Sequence, residues 1–153
     1  MFFALNPKIL FFTLLGLALT GCSNEADPDS PEGQRQAIFK QFLQHSEPMG
    51  GMLRGRLAFD GDAFAHHTQA LAESADSPWL LFPEPGDTRQ KNAARPEVWS
   101  DPQGFSQAID RYQEAISDLA AVTAQGVDTP EQVDELFNAV QQSCKSCHDS
   151  FRR

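Results

Sequence analysis

Cysteine is scarce in this chain, three residues in 153, at positions 22, 144 and 147. So few thiols cannot staple a small disulfide scaffold, and the fold must rest on an apolar core. Basic residues are few as well: twelve Lys and Arg stand against twenty-one Asp and Glu, a formal net charge of −9. That balance argues against nucleic acid or an anionic membrane as a surface partner. No apolar run reaches the ~20 residues that a membrane-spanning helix needs. No stretch alternates apolar and polar residues with period two, so a sheet is not expected. Tyrosine occurs once and tryptophan twice, whereas phenylalanine occurs twelve times. The aromatic content is thus almost entirely flat hydrocarbon.

The N-terminal segment has the build of a secretory signal: Lys8, an apolar run over 9–19, and small residues before a cleavage point. Leu19-Thr20-Gly21-Cys22 resembles the lipobox of bacterial lipoproteins, in which the cysteine takes lipid and becomes the new N-terminus. The competing reading is an ordinary signal cleaved a few residues later, with Cys22 incidental. Lipidation leaves no thiol unassigned in an oxidising compartment. It places the mature chain on the periplasmic side of a bacterial membrane, held by lipid anchor only. Residues 22–30 are polar and acidic and read as a flexible tether. Residues 31–153 are enough for one domain with one core.

Ser30-Pro31, Asp101-Pro102 and Thr129-Pro130 each pair a helix N-cap with proline at the first helical position. Gln132 adds a capping box to Thr129. The last helix carries Val133, Leu136, Phe137, Val140, Cys144, Cys147, His148 and Phe151 at three-four spacing, and the one before it Phe105, Ile109, Tyr112, Ile116 and Leu119, with Gly126 as its stop. The first helix runs from Pro31 through Ile38, Phe39, Phe42 and Leu43. Pro48 with Gly50 and Gly51 is expected to kink or interrupt it. A shorter second helix spans about 62–75, with Phe64 and Leu71 on one face. The connection over 76–101 is long and proline-rich, and loops of this kind tend to be functional. Its Trp79, Leu80, Leu81 and Phe82 are too apolar to be left in water.

Cys144-Lys145-Ser146-Cys147-His148 is the attachment signature of a covalently bound c-type haem. At ~100° per residue the two sulfurs and the imidazole project from one helix face. A redox dithiol would open a helix in a strand-helix-strand setting, whereas this motif closes one. A zinc site needs further ligands nearby. Haem c attachment happens outside the cytoplasmic membrane, in agreement with the signal segment.

These features together resemble the cytochrome c′ family, whose haem motif lies at the C-terminus. The resemblance covers about 31–153 and rests on Arg35-Gln36, on the segment Lys91-Asn92-Ala93-Ala94-Arg95-Pro96-Glu97-Val98-Trp99-Ser100-Asp101, and on the terminal motif through Phe151 and Arg152. It implies an all-α, antiparallel up-down-up-down four-helix bundle. It also implies one haem c, held by Cys144 and Cys147, with His148 as the axial iron ligand of a five-coordinate, high-spin iron. Arg35 and Gln36 are then expected beside the haem propionates, Glu97 at the haem edge and Arg152 near the proximal face. Phe39 takes the position covering the distal face, with Trp79 and Phe82 lining the same pocket. The family often forms homodimers.

Low-spin relatives carry methionine where this chain has Phe39. Phenylalanine has no lone pair to give the iron, so the resemblance implies binding of small diatomic gases, nitric oxide and carbon monoxide, at an open site. The alternative is a six-coordinate, low-spin electron-transfer cytochrome using a remote methionine or histidine, and the acidic surface suits a cationic redox partner. Met49, Met52 and His45 are rival ligands, though none lies beside Phe39 at the same height on a straight helix, and His66-His67, on the short second helix, reads as a surface pair. A peroxidase would need a distal base and cation, and Phe39 supplies neither. The chain is therefore not expected to be an enzyme.

Overall fold

The computed structural model describes residues 26–82 and 93–153. The signal segment, Cys22, most of the tether, and Lys91 and Asn92 lie outside the described residues. Five α-helices follow in order: α1 (Pro31–Leu53), α2 (Gly61–Ser74), the single-turn α3 (Glu97–Ser100), α4 (Pro102–Thr123) and α5 (Asp134–Phe151). Short 3₁₀ turns at Trp79–Leu81 and Pro130–Gln132 join them. The four long helices form the up-down-up-down bundle.

Three of the starts are set by side-chain caps. Ser30 Oγ accepts the Gly33 N–H at 3.0 Å, Asp60 Oδ1 that of Ala63 at 3.0 Å, and Asp101 Oδ1 that of Gly104 at 3.0 Å. Each such cap contributes about 1 kcal/mol. Thr129 and Gln132 also meet, with Gln132 Oε1 accepting the backbone N–H of Thr129 at 2.9 Å. They close a 3₁₀ turn, however, and α5 itself begins four residues after Pro130, at Asp134. Fully buried Val133 separates the two segments.

Of the kink or interruption expected at Pro48, the interruption does not occur: the helix runs through Pro48 and continues over Met52 to Leu53. A proline inside a helix costs about 3 kcal/mol, because a hydrogen bond is lost and its ring crowds the preceding turn. Met49 and Met52, at 0% and 6% exposure, lie in the main core beyond it. Burying each contributes about 1.5–3 kcal/mol, together enough to offset the proline. The break comes at Gly55, where φ is +68°. There Arg56 N–H bonds Gly51 O at 2.9 Å and Gly55 N–H bonds Met52 O at 3.1 Å, the paired bonds of a Schellman cap. Leu43, expected on the buried face of α1, is instead 55% exposed.

The main core joins Met49 and Met52 of α1, Phe64 and Leu71 of α2, Tyr112, Ile116 and Leu119 of α4, and Phe137 and Val140 of α5. A smaller cluster of Ala94, Val98, Ala108 and Phe151 fills the end of the bundle where α5 stops. There the chain over 93–95 pairs with the C-terminus: Arg95 N–H bonds Phe151 O and Arg153 N–H bonds Ala93 O, both at 2.9 Å. The tight seams are α4 on α5, α2 on α4 and α1 on α2. Replacing Met49 by Ala is expected to cost about 2–5 kcal/mol in urea denaturation, as for a buried large-to-small change. A loss below about 1 kcal/mol would show that the last turns of α1 are not core.

Candidate functional site

The Cys-x-x-Cys-His motif occupies the last two turns of α5. Asp134 and Glu135 in its first turn complement the helix dipole, and His148 lies in its last. The helix ends as Arg152 N–H bonds His148 O at 3.1 Å and the chain turns extended to meet Ala94.

The two motif cysteines divide between the two apolar clusters, Cys144 packing against the main core and Cys147 against the terminal one. Both are free thiols and partly buried. Burial raises the Cys144 thiol above its ordinary range and, with the Cys144 neighbour, pushes Cys147 up to about 11. His148 is solvent-exposed as a residue, yet its imidazole has partial cover. That cover and the positive charge of Arg152 lower its proton affinity against the opposing pull of Asp149.

Opposite the motif stands α1. The Phe39 ring meets the His148 imidazole edge-on, centroids 6.4 Å apart and planes at 79°. Phe42 and Trp79 back it at 5.7 and 6.0 Å. The only donor of Trp79 is turned away, its indole N–H bonding Ala75 O at 2.6 Å. The aromatic wall continues through Phe105 to Phe82 at 5.0 Å and Phe151 at 5.2 Å. Trp79 lies directly against Phe39, while Phe82 joins the wall further on, through Phe105.

Arg35, one turn before Phe39, is 5% exposed. Its guanidinium lies 4.1 Å over the Phe82 ring and donates to Leu81 O. Burial lowers its pKa, with Glu32 opposing. Gln36 is half-buried and accepts the Ala26 N–H at 3.3 Å. Glu97 pairs with Arg95 at 3.3 Å, and Arg95 also donates to Asp149 O at 3.3 Å, so this pair sits beside the end of α5. The Glu97 carboxyl is held below its usual range by its own backbone N–H and by Arg95. The rival ligands lie elsewhere: Met49 and Met52 are core, and His45 pairs with His67.

Sequence reasoning missed three features. One is the antiparallel bridge that ties Ala94 to Arg152, which no periodicity announces. The second is the His45–His67 pair. The third is Tyr112, which packs between Phe42 and Trp79 at 5.5 and 6.1 Å. Its hydroxyl is the buried side-chain polar atom that lacks a partner among the described residues. Burial and nearby Cys144 raise its pKa far above the ordinary phenol range.

The arrangement fits a haem. Two thiols and an imidazole share one helix face, a flat aromatic wall stands opposite, and a buried cation lies one turn from that wall. The orphaned Tyr112 hydroxyl near Cys144 marks a place where the protein alone does not satisfy its own polar group.

A family model described as cytochrome C′ matches residues 31–152. The cytochrome c′ of Rhodopseudomonas palustris is 30% identical over 146 residues, covering 95% of this chain and 97% of that protein. Two solved structures from Alcaligenes xylosoxidans, both variants of its cytochrome c prime, superpose closely. One, a nitric oxide complex, is 27% identical with a TM-score of 0.71 and covers 82% of this chain and 98% of that one. The other, with carbon monoxide bound, is 27% identical with a TM-score of 0.73 and covers 84% and 98%.

Tyr112→Phe is expected to leave stability within about 0.5 kcal/mol in thermal unfolding, because no hydrogen bond is lost. A loss above about 1.5 kcal/mol would mean that the hydroxyl has a partner in the haem-loaded protein.

Proposed function

The chain belongs to the cytochrome c′ family and carries haem c, and from that premise we propose that it binds small diatomic gases, nitric oxide above all, at a five-coordinate, high-spin iron. Cys144 and Cys147 would hold the haem through thioether bonds, and His148 would be the one protein ligand to its iron. The bound haem supplies the metal centre to which a gas coordinates. Everything else is done by the chain. The observation that carries this reading is Phe39, set edge-on against the His148 imidazole and backed by Phe42 and Trp79.

This wall selects by what it withholds. A benzyl ring offers no lone pair, so α1 contributes no sixth ligand at Phe39. It also offers no hydrogen bond, which favours nitric oxide over dioxygen, since dioxygen gains more from a donor. The Trp79 N–H is engaged with Ala75 and does not make up the lack. Gas complexes of related cytochromes with the same fold support the ligand class. Arg35, buried one turn away over Phe82, is placed to compensate haem propionates, and Gln36 lies beside it. Glu97, fixed by Arg95, would contact the haem edge, and Arg152, whose charge lowers the proton affinity of His148, would lie near the proximal face. The role is carriage of, or protection against, nitric oxide, with no catalytic turnover. The net negative charge supports a cationic electron donor that keeps the iron reduced. The burial of Met49 and Met52 and the pairing of His45 with His67 speak against the six-coordinate alternative.

Removing the phenyl ring in Phe39→Ala should raise carbon monoxide affinity, measured by equilibrium titration of the reduced protein, by about tenfold, the relief of ~1.4 kcal/mol of crowding. An unchanged affinity would take Phe39 out of the distal wall. Membrane attachment through lipid on Cys22 belongs to the same proposal. The mass of the mature N-terminal peptide is expected to show a diacylated Cys22, and a chain starting beyond it unmodified would leave the protein free in the periplasm.

A further inference from the structure

His45 on α1 and His67 on α2 lie across the α1–α2 seam with their Nδ1 atoms 3.1 Å apart and ring centroids 5.3 Å apart. The nitrogens therefore lie close to the line joining the ring centres, at a distance at which an Nδ1–H of one ring meets the lone pair of the other. We propose that this pair is a binding site for a divalent first-row transition cation, with the ion taking the place of the shared proton and tying α1 to α2.

The chemistry follows from the two lone pairs. Neutral imidazole is a preferred ligand for copper, nickel and zinc, and Cu²⁺ binds tightest of the series. With each metal–nitrogen bond ~2.05 Å long, two nitrogens 3.1 Å apart subtend about 98° at a common ion. That angle lies between the square-planar and tetrahedral values. For the lone pairs to converge on that ion, each ring must turn by about 40° from its present direction. The ring that now donates then carries its proton on Nε2, so a neutral pair binds the ion without net proton loss. Both residues are half-buried, which leaves room for water to complete the coordination sphere. Burial and the neighbouring imidazoles of His45 and His66 lower the proton affinity of His67, which favours its neutral form. His66 itself is exposed, its ring 5.7 Å from that of His67. The pair is separate from the gas site: along α1, six residues or about 9 Å of helix rise divide His45 from Phe39.

The test is titration of the haem-loaded full chain with Cu²⁺, followed by electron paramagnetic resonance. One saturable site per chain is expected, with hyperfine coupling to two nitrogens. His45→Gln and His67→Gln should each weaken it at least about tenfold through loss of one of two ligands, and His66→Gln should leave it unchanged. One equivalent of Zn²⁺ should also raise the melting temperature of the parent protein. Absence of nitrogen hyperfine coupling in the parent protein, or equal affinity in His67→Gln, would overturn the proposal and place the ion elsewhere. The parent spectrum decides the matter even if a variant does not fold.

Discussion

The functional end of this molecule depends on how one helix is seated. Helix α5 inserts its apolar stripe between the main core, through Phe137 and Val140, and a terminal cluster, through Phe151. The Cys-x-x-Cys spacing then hands one cysteine to each cluster. Because both clusters are close-packed, the motif cannot rotate about the helix axis without displacing one of them. His148 is consequently held facing α1, and Phe39 is the residue it meets. The bridge from Ala94 to Arg152 pins the far end of the same helix.

The rest of the bundle can be seen as support for that seating. The tight seams place α4 on α5, α2 on α4 and α1 on α2, and the functional face lies between α1 and α5. A cofactor held there would face a wall of rings. Selectivity then comes from a side chain that does little. Phe39 neither ligates nor donates, and the indole N–H of Trp79 behind it is bonded to Ala75 O. Such a wall suits a ligand whose bond to iron needs no outside help.

Much of this was legible in the sequence, and the reasons are local. Caps at Ser30 and Asp101 announce themselves because a side-chain oxygen three residues before a free N–H satisfies it within one turn. The haem motif is legible for the same reason, since its spacing is that of a single helix face. What the sequence did not disclose is decided by distant partners. Pro48 reads as a break, yet α1 passes through it because Met49 and Met52 are buried among residues from three other helices. Thr129 reads as the cap of α5, but buried Val133 shifts the true start to Asp134. His45 and His67 are 22 residues apart and meet only because α1 and α2 pack antiparallel. The Arg95–Glu97 pair falls beside α5 through the same kind of long-range contact.

The proposed gas site requires that His148 be the only protein ligand to the iron. The absorption spectrum of the purified protein, reduced under anaerobic conditions, tests it most directly. A broad, unsplit visible band, the signature of five-coordinate high-spin iron, is the expected result. Sharp, split bands would mean that a second side chain binds the iron, and would contradict the account.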